Sequence, residues 1–319
     1  MTANVALNTR SLVDPAFQRL AEVPAEAQWF ANISNAQTRR AYEADIRSFM
    51  ASCGISQPSD FRLVTRSHVL AWRADLEAQQ VAGATIRRKL AALASLYDHL
   101  CNENAVTSNP VKGVKRPKVE TQEGKTPALS DAQARALLDA PPTDTLKGIR
   151  DRAILSVLLF HGLRRMELSK LHVKDFGQHR RGIVHMLISG KGGKQRYVPI
   201  HPETEKLVTN YLKLAGHASD KEGALFRSVR DRALGRTGAL SPGAVYAQVV
   251  KYYMAKVGIE GENMGPHALR ATAATSALEH DADIAQVQAW LGHASISTTK
   301  VYDRRDAKPS QSPTFKVAY

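Results

Sequence analysis

The chain has 319 residues, 43% of them hydrophobic and 23% charged, a balance that argues against a disordered or collagen-like chain and gives enough length for two ordinary cores. No stretch reaches the ~18 apolar residues of a spanning helix, and the first twenty residues, broken by Asp14, lack the apolar run of a secretory signal, so a cytoplasmic protein without membrane contact is expected. Two cysteines, Cys53 and Cys101, are too few for a disulfide scaffold and read as free thiols, while the net charge of +14 points to nucleic acid as the partner.

Residues 1–24 read as an N-terminal extension. From Thr38 to Met50, Tyr42, Ile46 and Phe49 recur at helical spacing, with Thr38 as the expected cap. A second helix is expected from Ser67 to Gln79. A third, from Ala84 to Glu103, lines up Ile86, Leu90, Leu93, Tyr97 and Leu100 on one stripe. Residues 25–105 thus read as a small helical bundle. Arg87, Arg88 and Lys89 stand in the first turns of the third helix, where cations oppose the helix dipole, so they either face DNA phosphates or form a solvated face. Residues 106–127 lose the apolar period and carry Pro110, Pro117 and Pro127 with Lys112, Lys115, Arg116 and Lys118, the pattern of an extended basic linker.

Residues 128–305 make up the second domain. Ser130 reads as the N-cap of a helix through Ala140, and a helical run over Ile149–Phe160 leads into a turn at Gly162. Ile183–Ser189 and Arg196–Ile200 are β-rich runs around Gly190–Gln195, which reads as a hairpin, and beyond His201 the pattern returns to helices. Charge is uneven: 11 Lys and Arg stand against 10 Asp and Glu before Val106, and 5 against 2 from Val106 to Pro127, so +10 of the +14 lies beyond the linker.

That second half holds the residues able to do chemistry: Gly162-Leu163-Arg164-Arg165-Met166-Glu167-Leu168, the turn Gly190-Lys191-Gly192-Gly193-Lys194, His267-Ala268-Leu269-Arg270, Leu291-Gly292-His293, and Tyr302 nine residues after that histidine. Attack on a phosphodiester builds negative charge on the phosphoryl oxygens, so an enzyme working without metal needs fixed cations and a nucleophile it can deprotonate. Over residues 25–305 the chain resembles the tyrosine recombinases, the phage integrase and Xer family of DNA strand-exchange enzymes.

The resemblance implies a mainly α fold with a small antiparallel sheet, arranged as a two-domain DNA clamp with a helical, SAM-like core-binding domain and a catalytic domain. It assigns Tyr302 as the nucleophile forming a 3′-phosphotyrosyl bond, Arg164 and Arg270 as clamps on the non-bridging oxygens, and His267 as the proton acceptor. It further makes His293 a donor to a phosphoryl oxygen, Lys191 the acid that protonates the leaving 5′-oxygen, and Glu167 and Asp175 carboxylates that orient cations. Lys194 and Arg196 read as DNA-backbone contacts. The implied partner is double-stranded DNA with inverted half-sites, bound by a homo-tetramer on two duplexes, with accessory DNA-bending proteins as further candidates. The other readings are strand religation of the type IB topoisomerase kind and a non-catalytic DNA-binding protein of the same fold.

No cofactor or metal is expected. The Gly190–Lys194 turn lacks the spacer and the Ser or Thr of a nucleotide-binding loop, and His161, His172, His179 and His185 match no zinc spacing and read as isolated surface residues. In the tail, residues 306–319, Pro309 and Pro313 rule against a continuous helix. Phe315, Val317 and Tyr319 recur with period two, so this segment is expected to dock in trans on a neighbouring subunit.

Overall fold

The computed structural model describes residues 25–118, 127–229, 238–261 and 263–303, which divide into two compact units between residues 120 and 121. The extension before residue 25, residues 119–126 of the linker and the tail with Phe315 and Val317 lie outside the described residues.

In the first unit, helices α1 (Ala25–Asn32), α2 (Ala36–Cys53), α3 (Arg66–Ala78) and α4 (Gly83–Asn102) surround one core. The stripe expected on α4 faces inward: Ile86, Leu90, Leu93, Tyr97 and Leu100 are buried against Phe49, Val69 and Trp72. Truncating such a leucine to alanine costs about 2–5 kcal/mol. The Tyr97 hydroxyl donates to the Phe61 carbonyl at 2.8 Å, which satisfies the one polar atom on that stripe. Helix α2 starts before Thr38 because Asn35 is the better cap; its side-chain oxygen accepts from the N–H groups of Gln37 and Thr38 at 3.0 Å.

Two expectations are corrected here. Arg88, although its side chain is 44% exposed, is ion-paired with the buried Asp45, and Lys89 lies 3.5 Å from the same carboxylate and over the Trp72 ring, so these cations compensate an interior charge and are not free. Arg87 donates to the Pro117 carbonyl. Nor is the first part of the basic segment an extended linker. Val111 and Val114 are buried in the α1–α4 core, and Asn109 ties the segment to Ala94 and Asp98. Lys112, Lys115, Arg116 and Lys118 lie on its outside.

The second unit is mostly helical and carries a three-stranded antiparallel sheet. Helix α5 (Asp131–Asp139) is capped by Ser130, whose hydroxyl accepts from Gln133 N while the Gln133 side chain accepts from Ser130 N. It is followed by α6 (Leu146–His161), α7 (Arg165–Ser169), strands β1 (Phe176–Arg180), β2 (Ile183–Ser189) and β3 (Gln195–Pro199), and α8 (Pro202–Ala215). The sheet order is β1-β2-β3, with Met186 opposite Val198 and Ile188 opposite Arg196. One long helix, α9, is then built from Pro242–Ala244, a π-helical stretch Val245–Lys251, and Tyr252–Lys256. Last come α10 (Pro266–Glu279), α11 (Ile284–Leu291) and α12 (Ile296–Lys300).

Helix α6 is the centre of this unit, packing on α8 and α10, which is why almost every side of it is apolar and buried. It also carries a buried ionic network. Asp151 accepts from Arg150 (Nε 2.9 Å, Nη2 2.6 Å), Lys147 (2.6 Å) and the Tyr253 hydroxyl (3.2 Å). His161, expected at the surface, is buried at the end of α6 and accepts the His201 N–H at 3.0 Å.

Candidate active site

Gly162 ends α6 in the left-handed conformation (φ 58°), and the chain reverses to place Arg164 at the N-cap of α7. A Cβ at Gly162 would meet Leu291 Cδ2 at 2.7 Å, so any other residue would have to displace the Leu291 side chain as well as hold a positive φ. The Gly162 carbonyl accepts from Arg270 Nη1, and the Leu291 carbonyl accepts from Arg270 Nη2 at 2.7 Å. Neutral backbone oxygens therefore hold this buried guanidinium, and its charge stays available to an anion. Burial, followed by the neighbouring Arg164 charge, lowers its pKa to about 10. It remains a cation at neutral pH.

Arg164 is more open. Its backbone N–H and Nη1 both reach Glu167, at 2.9 Å each. Glu167 is buried, which alone would raise its pKa, but hydrogen bonds from Arg196 and the Arg164 N–H, with both guanidinium charges, outweigh burial and hold it below the usual carboxylate range. Arg196 gives Glu167 two parallel bonds (Nη1 3.1 Å, Nη2 3.0 Å) and donates Nε to the Trp290 carbonyl at 2.9 Å. Its assignment as a DNA-backbone contact is thus corrected: it is an internal tie. Asp175 is corrected as well. It accepts from the His172 N–H at 2.9 Å and sits beside the His172 ring, where it closes a turn before β1 instead of orienting an active-site cation.

Consecutive carbonyls at the C-terminus of α11 hold two different arginines, Trp290 for Arg196 and Leu291 for Arg270. Gly292 then takes φ 68° and delivers His293. His293 Nδ1 lies 2.8 Å from Oγ1 of the buried Thr299, and its ring centroid is 6.0 Å from that of Tyr302. Burial, then Arg270, Arg164 and Arg196, depress the His293 pKa to about 4. Tyr302 is partly buried against Ala274, Leu278 and Leu291. Its backbone is pinned at both ends, N–H to the Thr299 carbonyl at 2.9 Å and C=O to the Thr275 hydroxyl at 3.3 Å. His267, in the first turn of α10, reaches the surface, yet the protein around it and then Arg270, Arg164 and Arg165 lower its pKa. Both shifts favour the neutral imidazole at pH 7.

Lys191 begins a tight turn between β2 and β3. Gly192 and Gly193 both have positive φ, and the Gly190 N–H donates to the Lys194 carbonyl at 2.7 Å, closing the hairpin. Lys194 is exposed there.

Sequence comparison places residues 127–308 in the phage integrase family and matches residues 30–104 to the phage integrase N-terminal SAM-like domain. The chain belongs to this family of tyrosine recombinases. The tyrosine recombinase XerC of Herpetosiphon aurantiacus is 32% identical to it over 269 residues, 83% of each chain. Among solved structures, the XerH site-specific recombinase bound to palindromic difH substrate, a post-cleavage complex, has a TM-score of 0.69 at 20% identity and covers 90% of this chain and 83% of its own. A lambda integrase tetramer bound to a Holliday junction has a TM-score of 0.65 at 17% identity, covering 89% of this chain and 77% of its own. Both share the fold.

In this recombinase the structure gathers Arg164, Glu167, His267, Arg270, His293 and Tyr302 into one neighbourhood and adds two residues that the motifs did not announce, Arg196 and Thr299. Arg196 had a readable signal. It stands two residues before Val198 and four before Ile200, so strand alternation puts it on their buried face, while Tyr197 points outward. Thr299 had none: its buried hydroxyl depends on how α12 folds back on the His293 ring. Among the described residues no His, Cys, Asp and Glu cluster suits a metal ion.

Proposed function

We propose that this recombinase breaks and rejoins DNA at specific sites through a 3′-phosphotyrosyl bond to Tyr302. The observation that carries the reading is the buried Arg270, held by two carbonyls and in direct ion pair with no carboxylate among the described residues, with Tyr302 and His293 beside it. A desolvated guanidinium with no direct counter-charge is costly unless an anion is its purpose.

In the proposed reaction Arg164 and Arg270 bind the non-bridging oxygens of the scissile phosphate, and His293 donates to one of them through Nε2. The Tyr302 oxygen attacks phosphorus, the P–O5′ bond breaks, His267 receives the phenolic proton, and Lys191 protonates the departing 5′-oxygen. Religation reverses these steps with a 5′-hydroxyl from a partner strand. The phosphotyrosyl bond keeps the energy of the bond it replaced, so no ATP is needed. We further infer a duplex site with inverted half-sites and a tetramer on two duplexes; the fold shared with the lambda integrase tetramer supports this. A soluble, cytoplasmic protein of a mobile element is the matching setting. The topoisomerase reading is not favoured, because the relatives that match most of the chain are recombinases.

The test is to trap covalent protein–DNA adducts in cells, sequence the attached DNA to recover the site, and repeat with Tyr302→Phe. Adducts joined at Tyr302 and absent from the variant, with DNA binding retained, are expected. Undiminished adducts in the variant would refute the assignment.

A further inference from the structure

Glu167 has two oxygens and about four lone-pair directions, and four donors fill them. The two arginines share it unequally. Arg164 contributes its backbone N–H and only one guanidinium N–H, whereas Arg196 makes the two-pronged pair and spends its Nε on Trp290. The Arg164 side chain is 35% exposed and that of Arg196 only 15%. A Cβ at Gly292 would lie 3.0 Å from Arg196 Nη1, and one at Gly190 3.6 Å from both Arg196 Nη1 and Glu167 Oε1, so the Arg196 head is enclosed by backbone on both sides.

We propose that Arg196 is a positioning residue that occupies Glu167 so that Arg164 keeps its charge and its open fork for the scissile phosphate. The inference rests on the reading of Arg164 as a phosphate clamp. One carboxylate paired with one arginine is neutral; one carboxylate between two arginines leaves a single positive charge. Without Arg196, the buried Glu167 would draw Arg164 into a two-pronged pair and cancel the charge that the phosphate needs. The third bond of Arg196, to Trp290, fixes the helix end whose next carbonyl holds Arg270, so one side chain sets the position of both clamps.

The experiment measures single-turnover adduct formation on a duplex carrying the recovered site, alongside duplex affinity as a function of salt. Arg196→Met should slow cleavage about 10–100-fold, the usual cost of removing a partner that orients a binding group, and should lower the salt slope by no more than the one phosphate contact of Arg164. Adding Glu167→Gln to Arg196→Met restores the single positive charge, while the amide oxygen it introduces can still accept from Arg164, and should recover about tenfold of that loss. Arg196→Lys, which keeps the charge but cannot span Glu167 and Trp290, should fall between wild type and Arg196→Met, and it provides the comparison if the methionine variant does not fold. Wild-type cleavage by both single variants, or a double variant no better than Arg196→Met, would each overturn the proposal. A wild-type protein that forms no adduct would instead overturn the proposed function, and this inference with it.

Discussion

Oγ1 of Thr299 lies 2.8 Å from Nδ1 of His293, and the carbonyl of the same threonine accepts the backbone N–H of Tyr302. One residue thus orients both the His293 ring and the chain segment that carries Tyr302. With the hydroxyl donating to Nδ1, the neutral ring bears its proton on Nε2, the tautomer that can donate to a phosphoryl oxygen. Thr299→Val preserves shape and removes only the hydroxyl. It should slow adduct formation roughly five- to tenfold, the equivalent of a hydrogen bond worth about 1–1.5 kcal/mol. Thr299→Ser should retain most of the rate, and a valine variant as fast as wild type would mean that the contact does not orient His293.

The buried histidine of α6 makes stability depend on pH. Burial, reinforced by His201 and outweighing a backbone contact with Val157, lowers the His161 pKa to about 4, against about 6.5 in an unfolded chain. Between those values the unfolded chain binds a proton that the folded chain refuses, so this contribution is fully present above about pH 6.5 and is lost as pH falls toward 4. His293 acts in the same direction. The melting temperature should therefore drop over that window. His161→Gln, whose carbonyl oxygen can still accept the His201 N–H, should flatten the drop; an unchanged pH dependence in the variant would show that His161 titrates normally.

Gly162 supplies one of the two carbonyls that hold Arg270, and Leu291 the other. Gly162→Ala puts a Cβ into the left-handed region, at a cost of roughly 1–2 kcal/mol, and pushes it against Leu291, whose carbonyl is one of the two. Denaturant unfolding should show the loss of stability, and adduct formation should fall by more than the unfolded fraction accounts for. Equal losses in the two measurements would limit Gly162 to a role in the turn.

The parts of the fold legible in the sequence are those set by local chemistry. Ser130 and Gln133 announce a capping box, the α4 stripe announces a buried face, and the β-rich run of strand β2 has the observed ends, Ile183 and Ser189. Strand β1 is not legible. Its Phe-Gly-Gln-His-Arg has one apolar residue and no alternation, and it is a strand only because β2 pairs with it. The motifs place the reacting groups on one half of the chain, but not the partners of the surrounding charges. Arg88 reads as a phosphate contact because its partner, Asp45, is 43 residues away, and Val111 and Val114 read as linker because two isolated valines carry no periodic signal.

Asp151 is the interior charge on which most depends, since Arg150, Lys147 and Tyr253 all converge on it. Asp151→Asn keeps the shape and leaves the buried Arg150 without a counter-charge, which should destabilise the second unit by about 3–5 kcal/mol. Urea unfolding would measure it. A loss below about 1 kcal/mol would indicate that the Arg227 carbonyl, which accepts from Arg150 Nη1 at 2.9 Å, is partner enough.

The basic residues of the first unit separate into two groups that one titration can distinguish. Lys112, Lys115, Arg116 and Lys118 lie outward along a segment anchored by Val111 and Val114 and are exposed. Arg88 and Lys89 are committed to Asp45. Binding by counterion release falls with salt at a slope of about 0.9 per phosphate contacted. Changing the four outward residues to glutamine should therefore reduce the slope of log affinity against log salt by up to about 3.6, with little effect on the melting temperature. Changing Arg88 and Lys89 to glutamine should do the reverse, lowering the melting temperature while leaving the slope nearly intact, because what it removes is compensation for a buried carboxylate. A large loss of slope in the Arg88 and Lys89 variant would restore them as phosphate contacts and make the Asp45 pairing a resting arrangement of the DNA-free protein.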